Sequence, residues 1–377
     1  MSLVRVERGF PMNHPQRLRL RATVAFAILV VTSSIAMTPS LRAGASGVSS
    51  GSWVDQNVSF SSGSTTIYAT FRHPKNAATI VPGVLLIAGS GPTDRNGNSA
   101  LEPGPVDTLK TLADWLSDDG VASLRYDKLG SGKTGLGPYA FDPASIGLSV
   151  YEQESRSALE FLAKEKDVND HELGVFGHSE GALFALLLAT GHAGATPPIH
   201  ALGLFEPLSL RYLDLITDQV DASLKAQVTS GAITKSLAKT VKKVLNGAVS
   251  QLRSKGTVKA NLPYGLASIL NPSDATFLAQ ADRFDPAVLA GHVATATRVL
   301  LTCSNDDVQV TCDEVSRVAD GFTSSSHVDF VHLKGVDHVL KVDASLTGAN
   351  YTKKLPFSPQ LKSDLRTFVA KYLEATK

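Results

Sequence analysis

The stretch Leu173-Gly-Val-Phe-Gly-His-Ser-Glu-Gly181 decides how this chain of 377 residues is read. Leu173 to Phe176 is a short apolar run suited to a buried strand, and the leucine- and alanine-rich Ala182 to Ala189 behind it is helical. Between them stands G-x-S-x-G. A strand that passes into a helix over so few residues bends sharply, so the central serine is strained and its neighbours must be small. Gly177 and Gly181 leave that room, and Ser179 Oγ is presented above the sheet edge as a nucleophile. The backbone N–H of Glu180, first in the helix, is then an oxyanion donor helped by the helix dipole. His178 reads as a support for the turn.

Working outward, apolar segments rich in β-branched residues alternate with helical patterns, as in a βαβ-built sheet. Val58 to Phe60 and Thr65 to Phe71 read as a leading hairpin turning at Ser62-Gly63. Strands follow at Val84 to Ile87, Val121 to Tyr126 and Ala201 to Phe205, with helices at Leu109 to Leu116 and Asp142 to Lys166. From Glu206 to about Asp285 the strand rhythm stops. Leu213, Ile216, Val220 and Leu224 repeat at helical spacing, as do Leu237, Val241, Leu245 and Leu252. Strands resume at Val299 to Thr302 and Val328 to Leu333, and a closing helix carries Leu361, Leu365, Phe368 and Tyr372. The expected class is α/β, a mostly parallel sheet flanked by helices. Its core spans residues 58–207 and 298–377, interrupted by a helical insertion over 208–297.

Arg125-Tyr-Asp-Lys-Leu-Gly-Ser-Gly-Lys-Thr-Gly135 invites a different reading, because GSGKT resembles the end of a phosphate loop and Gly130, Gly132 and Gly135 have dinucleotide-turn spacing. A phosphate loop needs glycine five positions before Gly132, where Asp127 stands. Both nucleotide motifs also need a helix at once, and Gly135-Leu-Gly-Pro138 intervenes. The stretch reads as a strand-end turn, with no nucleotide partner.

Composition excludes other classes. The formal charge is +1, with no basic stripe for nucleic acid. Nothing demands a metal or an organic cofactor. At the N-terminus, Arg17, Arg19 and Arg21 precede the apolar run Thr23 to Val31, small residues follow, and Ala43-Gly-Ala45 offers a cleavage site. The apolar core is shorter than the roughly 20 residues of a membrane span. Residues 1–45 are expected to be a cleaved signal peptide, starting at Met1 or Met12, which implies secretion or a periplasmic location; an uncleaved N-terminal anchor is the alternative. Residues 46–57 read as a flexible lead-in. In an exported protein the only two cysteines, Cys303 and Cys312, are expected to form a disulfide, against the alternative of two buried thiols.

A serine nucleophile needs a base, and the base an orienting carboxylate. His338 lies just past the last strand on a glycine-containing loop; His332 lies inside that strand. After the strand at Val299 come Asp306 and Asp307, and adjacent residues in an extended loop face opposite ways, so one of them serves. A second oxyanion amide comes from the loop Gly89-Ser-Gly-Pro-Thr-Asp-Arg-Asn-Gly-Asn98, with Gly91 the first candidate and Ser90 the second. Asp94 and Arg95 are a candidate pair holding that loop.

GSGPTDRNGN (Gly89–Asn98), RYDKLGSGKT (Arg125–Thr134), GHSEG, FDPA (Phe284–Ala287), DVQV (Asp307–Val310) and GVDHVLK (Gly335–Lys341) together resemble the α/β-hydrolase superfamily. More narrowly the chain is similar to bacterial EstD-type esterases, related to serine-aminopeptidase-like hydrolases, from about Val58 to the C-terminus. The resemblance implies that Asp307, in D-x-Q-V, is the triad acid and His338 the base. It also implies that the insertion from about Leu208 to Asp282 is a lid. Ser304 replaces the family's usual Gly, and Leu129 its usual basic residue. The expected activity is hydrolysis of small acyl esters; an aminopeptidase, a thioesterase or acyltransferase, and a non-catalytic binding protein are the alternatives.

Overall fold

Trp53–Ser62 (β1) and Thr65–Pro74 (β2) pair antiparallel and turn at Gly63, whose φ of 55° suits glycine. The computed structural model describes residues 52–76, 80–323 and 327–373. The expected signal peptide, its expected cleavage site and both candidate starts lie outside them. One boundary needs correction: residues 53–57, expected in the flexible lead-in, form the first half of β1. Their side chains are mostly exposed and polar, so alternation hid a strand that pairing with β2 stabilises.

Six more strands complete one sheet: Val81–Ile87 (β3), Ala122–Tyr126 (β4), Val168–His178 (β5), Ala201–Phe205 (β6), Arg298–Ser304 (β7) and His327–Leu333 (β8). The order is β1-β2-β4-β3-β5-β6-β7-β8, antiparallel at the hairpin and parallel from β4 onward. Strand order reverses around β3, which lies between β4 and β5. Loops leaving the carboxyl ends of β3 and β5 therefore open a crevice at that switch point.

Helices cover both faces. Thr108–Asp118 (α1) and Pro359–Tyr372 (α9) bury Leu109, Leu112, Leu361, Leu365 and Phe368 against one face. Leu148–Leu162 (α2) and Glu180–Ala189 (α3) cover the other. The helix expected over Asp142 to Lys166 is shorter, because Pro143–Ser145 forms a separate 3-10 turn. In the insertion, Tyr212–Thr229 (α4), Lys235–Lys255 (α5) and Ala275–Ala281 (α6) pack together, whereas Pro286–Ala290 (α7) packs on the core. Buried Asp282 ties the insertion to its own start: it accepts from Leu213 N at 2.8 Å, Arg211 Nη2 at 2.8 Å and Arg253 Nε at 2.9 Å. Between β7 and β8 runs Cys312–Gly321 (α8), opened by a capping box of Thr311 and Glu314. Among the described residues no helix is long and apolar enough to cross a membrane.

Candidate active site

β5 delivers Ser179 with φ 55° and ψ −120°, a backbone conformation that costs energy for any residue with a side chain. The flanking glycines show why the turn holds. A Cβ on Gly177 would stand 2.2 Å from the carbonyl carbon of Gly181, and one on Gly181 would stand 2.2 Å from Ile87 O. The elbow is pressed onto the end of β3. From the other side the end of β6 clamps it, with Ser179 N donating to Phe205 O at 3.0 Å and Leu208 N to Ser179 O at 3.1 Å.

The β7 loop brings Asp307 and the β8 loop brings His338. His338 Nδ1 lies 2.7 Å from Asp307 Oδ2, both side chains being buried, which leaves Nε2 for the cleft. Asp307 Oδ1 accepts from the amides of Gln309 at 2.7 Å and Val310 at 3.2 Å, so the D-x-Q-V spacing orients the carboxylate. Asp306, the competing acid, turns away and accepts from Gly335 N at 3.0 Å. It joins the acid loop to the histidine loop. His332 is exposed on β8.

A cleft of about 550 Å³ is lined by Ser179, His338, His178, Ser90, Glu102 and Val106 among others. A second cavity of about 320 Å³ lies against the insertion, where Tyr212, Leu215 and Ile216 of α4 face Ser179. Ser90, Ser179 and Gln309 border both. Gln309 also ties the parts together, accepting from Gln219 Nε2 of α4 at 2.9 Å and donating to Tyr351 Oη at 3.2 Å.

The two residues expected to offer the second oxyanion amide, Gly91 and Ser90, stand differently toward the cavities. Ser90 borders both cavities, while Gly91 is not among the wall residues. Gly91, at φ 78°, instead makes the turn that lets Thr93 N reach its carbonyl at 2.8 Å. Among the described residues, the amides of Ser90 and Glu180 make no hydrogen bond. Arg95 does not pair with Asp94; its guanidinium holds Asp127 at 2.7 and 3.0 Å.

Several contributors carried no signal that the sequence reading used. Lys128 Nζ, buried under the elbow, donates to Gly89 O at 2.5 Å and Glu180 Oε1 at 2.9 Å, and Tyr212 Oη reaches Glu180 Oε2 at 2.5 Å. The Glu180 side chain therefore fastens both the oxyanion loop and α4. His178 Nε2 lies 2.7 Å from His338 O. Burial, assisted by the neighbouring His338, pushes His178 down to about 3, so its ring is neutral and donates to that carbonyl. It holds His338 by its backbone.

The cysteines are joined as Cys303–Cys312, linking the end of β7 to the first turn of α8 and closing the loop that carries Asp307. With His332 they are the metal-capable grouping among the described residues, and its two sulfurs are bonded to each other.

Solved structures with the same architecture place it. Est1E from Butyrivibrio proteoclasticus, solved with ferulic acid bound, superposes with a TM-score of 0.51 at 16% identity, covering 84% of this chain and 98% of that one. The fold is that of the α/β hydrolases. The Pyrococcus furiosus esterase Pf2001 matches this chain with a TM-score of 0.51 and 14% identity, over 86% of this chain and 92% of that one. An acylaminoacyl peptidase from Pyrococcus horikoshii has a TM-score of 0.51 and 12% identity, over 87% of this chain and 43% of that one. At these identities the likeness is one of fold. No family model and no curated protein sequence matches the chain.

Proposed function

We propose that the protein is a serine hydrolase acting as a carboxylesterase on small acyl esters. The observation that carries this reading is the strained Ser179 in one cleft with the hydrogen-bonded pair His338–Asp307. Ser179 Oγ attacks the ester carbonyl while His338 Nε2 takes its proton, and Asp307 holds the imidazole in the required tautomer. The Ser90 and Glu180 amides receive the oxyanion. The imidazolium then protonates the leaving alcohol, and water, deprotonated by the same histidine, releases the acid from Ser179. The cavity under α4, walled by Leu208, Leu215 and Ile216, takes the acyl group, and its modest size favours short chains. A panel of aryl esters of increasing acyl length, run on wild type and Ser179→Ala, tests this. Turnover by the wild type that falls with chain length and vanishes in the variant is expected; turnover retained by the variant would falsify the assignment.

One observation favours a second reading, an aminopeptidase-like preference. On α4, Asp214 pairs with Arg253, Asp221 with Lys242, and Asp218 is exposed. Glu102 instead lines the Ser179 cleft, and burial raises its carboxyl above the usual range. Hydrolysis of an aminoacyl anilide at a KM that Glu102→Gln raises, with aryl ester KM unchanged, would select this reading.

We further propose that the protein is exported. A Cys303–Cys312 bridge suits an oxidising compartment. N-terminal sequencing of the protein from the culture medium or periplasm should begin near Ser46; a chain retaining residues 1–45 would point to the anchor.

A further inference from the structure

Glu206, at the end of β6, has no part in the chemistry described so far. It is fully buried, and its backbone φ of 43° is one that few residues other than glycine adopt. The segment around it is the clamp on the elbow, since Phe205 and Leu208 hydrogen-bond Ser179 on either side of it. Its side chain crosses to β7, where Oε2 accepts from Ser304 N at 3.1 Å and Oε1 lies 3.4 Å from Thr302 Oγ1. Thr302 Oγ1 in turn accepts from Glu206 N at 3.2 Å. The remaining neighbour is Asp307: its N donates at 3.3 Å to the carbonyl of Ser304, the residue whose amide the Glu206 carboxyl accepts, so the two acids stand side by side at the end of β7 and interact.

We propose that Glu206 is a positioning residue of the triad, a neutral carboxylic acid that donates a hydrogen bond to Asp307 and holds that carboxylate toward His338. Two ionised carboxylates in contact away from water repel, and one of them keeps its proton. Asp307 is the one committed to charge, because it already accepts from His338 and from two backbone amides. Burial first, and the neighbouring Asp307 second, push Glu206 well above the carboxyl range. No other titratable side chain competes for this role on the adjoining strands. β7 offers the uncharged Thr302 and Ser304, β5 ends in neutral His178, and His338 lies beyond Asp307. A neutral acid supplies a donor without placing a second negative charge beside the His338–Asp307 pair. The same short segment thereby fixes the nucleophile by its backbone and the acid by its side chain.

This inference rests on the serine-hydrolase reading, and the experiment separates the two. The rate at which a fluorophosphonate labels Ser179 is measured against pH for wild type, Glu206→Gln and Glu206→Ala. Infrared difference spectra of wild type minus Glu206→Gln are recorded beside it. The Gln amide can still donate, so its labelling rate should stay within about threefold of wild type with the acid limb of the profile unmoved. Glu206→Ala should label about tenfold to a hundredfold more slowly at a temperature where it is still folded. The difference spectrum should show a protonated-carboxyl stretch at neutral pH. An acid limb that moves down in Glu206→Gln by about half a unit or more would mean that Glu206 is ionised, and overturns the proposal. So would a folded Glu206→Ala that labels like wild type, or a missing carboxyl band. If Glu206→Ala does not fold, the Gln variant and the spectrum decide. A wild type that never labels sinks the hydrolase reading instead, and the spectrum still reports on Glu206.

Discussion

Two glycine-rich turns leave neighbouring parts of this sheet, and they have opposite interiors. After β4, Gly130, Gly132 and Gly135 take φ of 87°, 47° and 57°, and the turn wraps around Asp127. Amides of Arg95 and Lys133 donate to that carboxylate at 2.9 and 2.8 Å, and a Cβ on Gly132 would stand 2.3 Å from its Cγ. The hollow that a phosphate would need already holds an anion belonging to the chain. After β5, the elbow at Gly177–Gly181 is just as tight, but Ser90 and Glu180 border the cavities at Ser179, and among the described residues their amides make no hydrogen bond. Glycine spacing makes a turn possible; what the amides are already bonded to decides whether the turn can act on a ligand.

The largest effect should come from exchanging the reactive side chain of each turn. Ser179→Ala should lower ester turnover by about 10³-fold or more. Lys133→Ala, at an exposed side chain resting on the Tyr68 ring, should stay within about twofold. Magnesium-dependent nucleotide binding that Lys133→Ala abolishes would break the comparison.

Next in size is the acid. Asp307→Asn should cost about 10²–10⁴-fold in kcat, by disfavouring the His338 tautomer that donates to it. Asp306→Asn keeps an acceptor for Gly335 N and should cost about tenfold or less. Equal losses in steady-state assays would mean that the two carboxylates share the role.

The glycines sharpen the contrast in stability. Gly181→Ala drives a methyl into Ile87 O and should cost about 3 kcal/mol or more in urea unfolding. Gly135→Ala meets nothing within 4 Å and pays only for its φ of 57°, about 1 kcal/mol.

The last effect is read against pH and tests what lies beneath the first turn. Buried Glu154 accepts from Leu129 N at 2.8 Å, and burial pushes its carboxyl up from 4.5 to about 8. As pH rises from 4.5 to about 8 the unfolded chain ionises while the folded chain keeps the proton, so this group's contribution falls across that window. Glu154→Gln should remove the slope. Its melting temperature should gain on wild type between about pH 5 and about pH 8, and a gain that shrinks would reverse the assignment.

Much of this architecture was readable before any coordinates. The strand–turn–helix at Ser179 and the leading hairpin are local, so nearby residues settle them. His338 was legible because a histidine on a glycine loop after the last strand has few rivals. Asp307 over Asp306 needed the D-x-Q-V resemblance; the structure adds the reason, two amides on Oδ1. α8 escaped notice because its buried face is little more than Cys312, Val315 and Val318, although the Thr311–Glu314 box was there to be read.

By itself the sequence determined most of the succession of strands and helices, the elbow, and the place of His338 on its loop, because each depends on sterics and periodicity within a few residues. Tertiary structure alone decided which loop amide borders the nucleophile and what fills the GSGKT turn. It also decided where Lys128, Glu180 and Glu206 spend their polar groups. Those choices depend on how strand ends far apart in the chain are set side by side, and on the cost of leaving a buried polar atom without a partner.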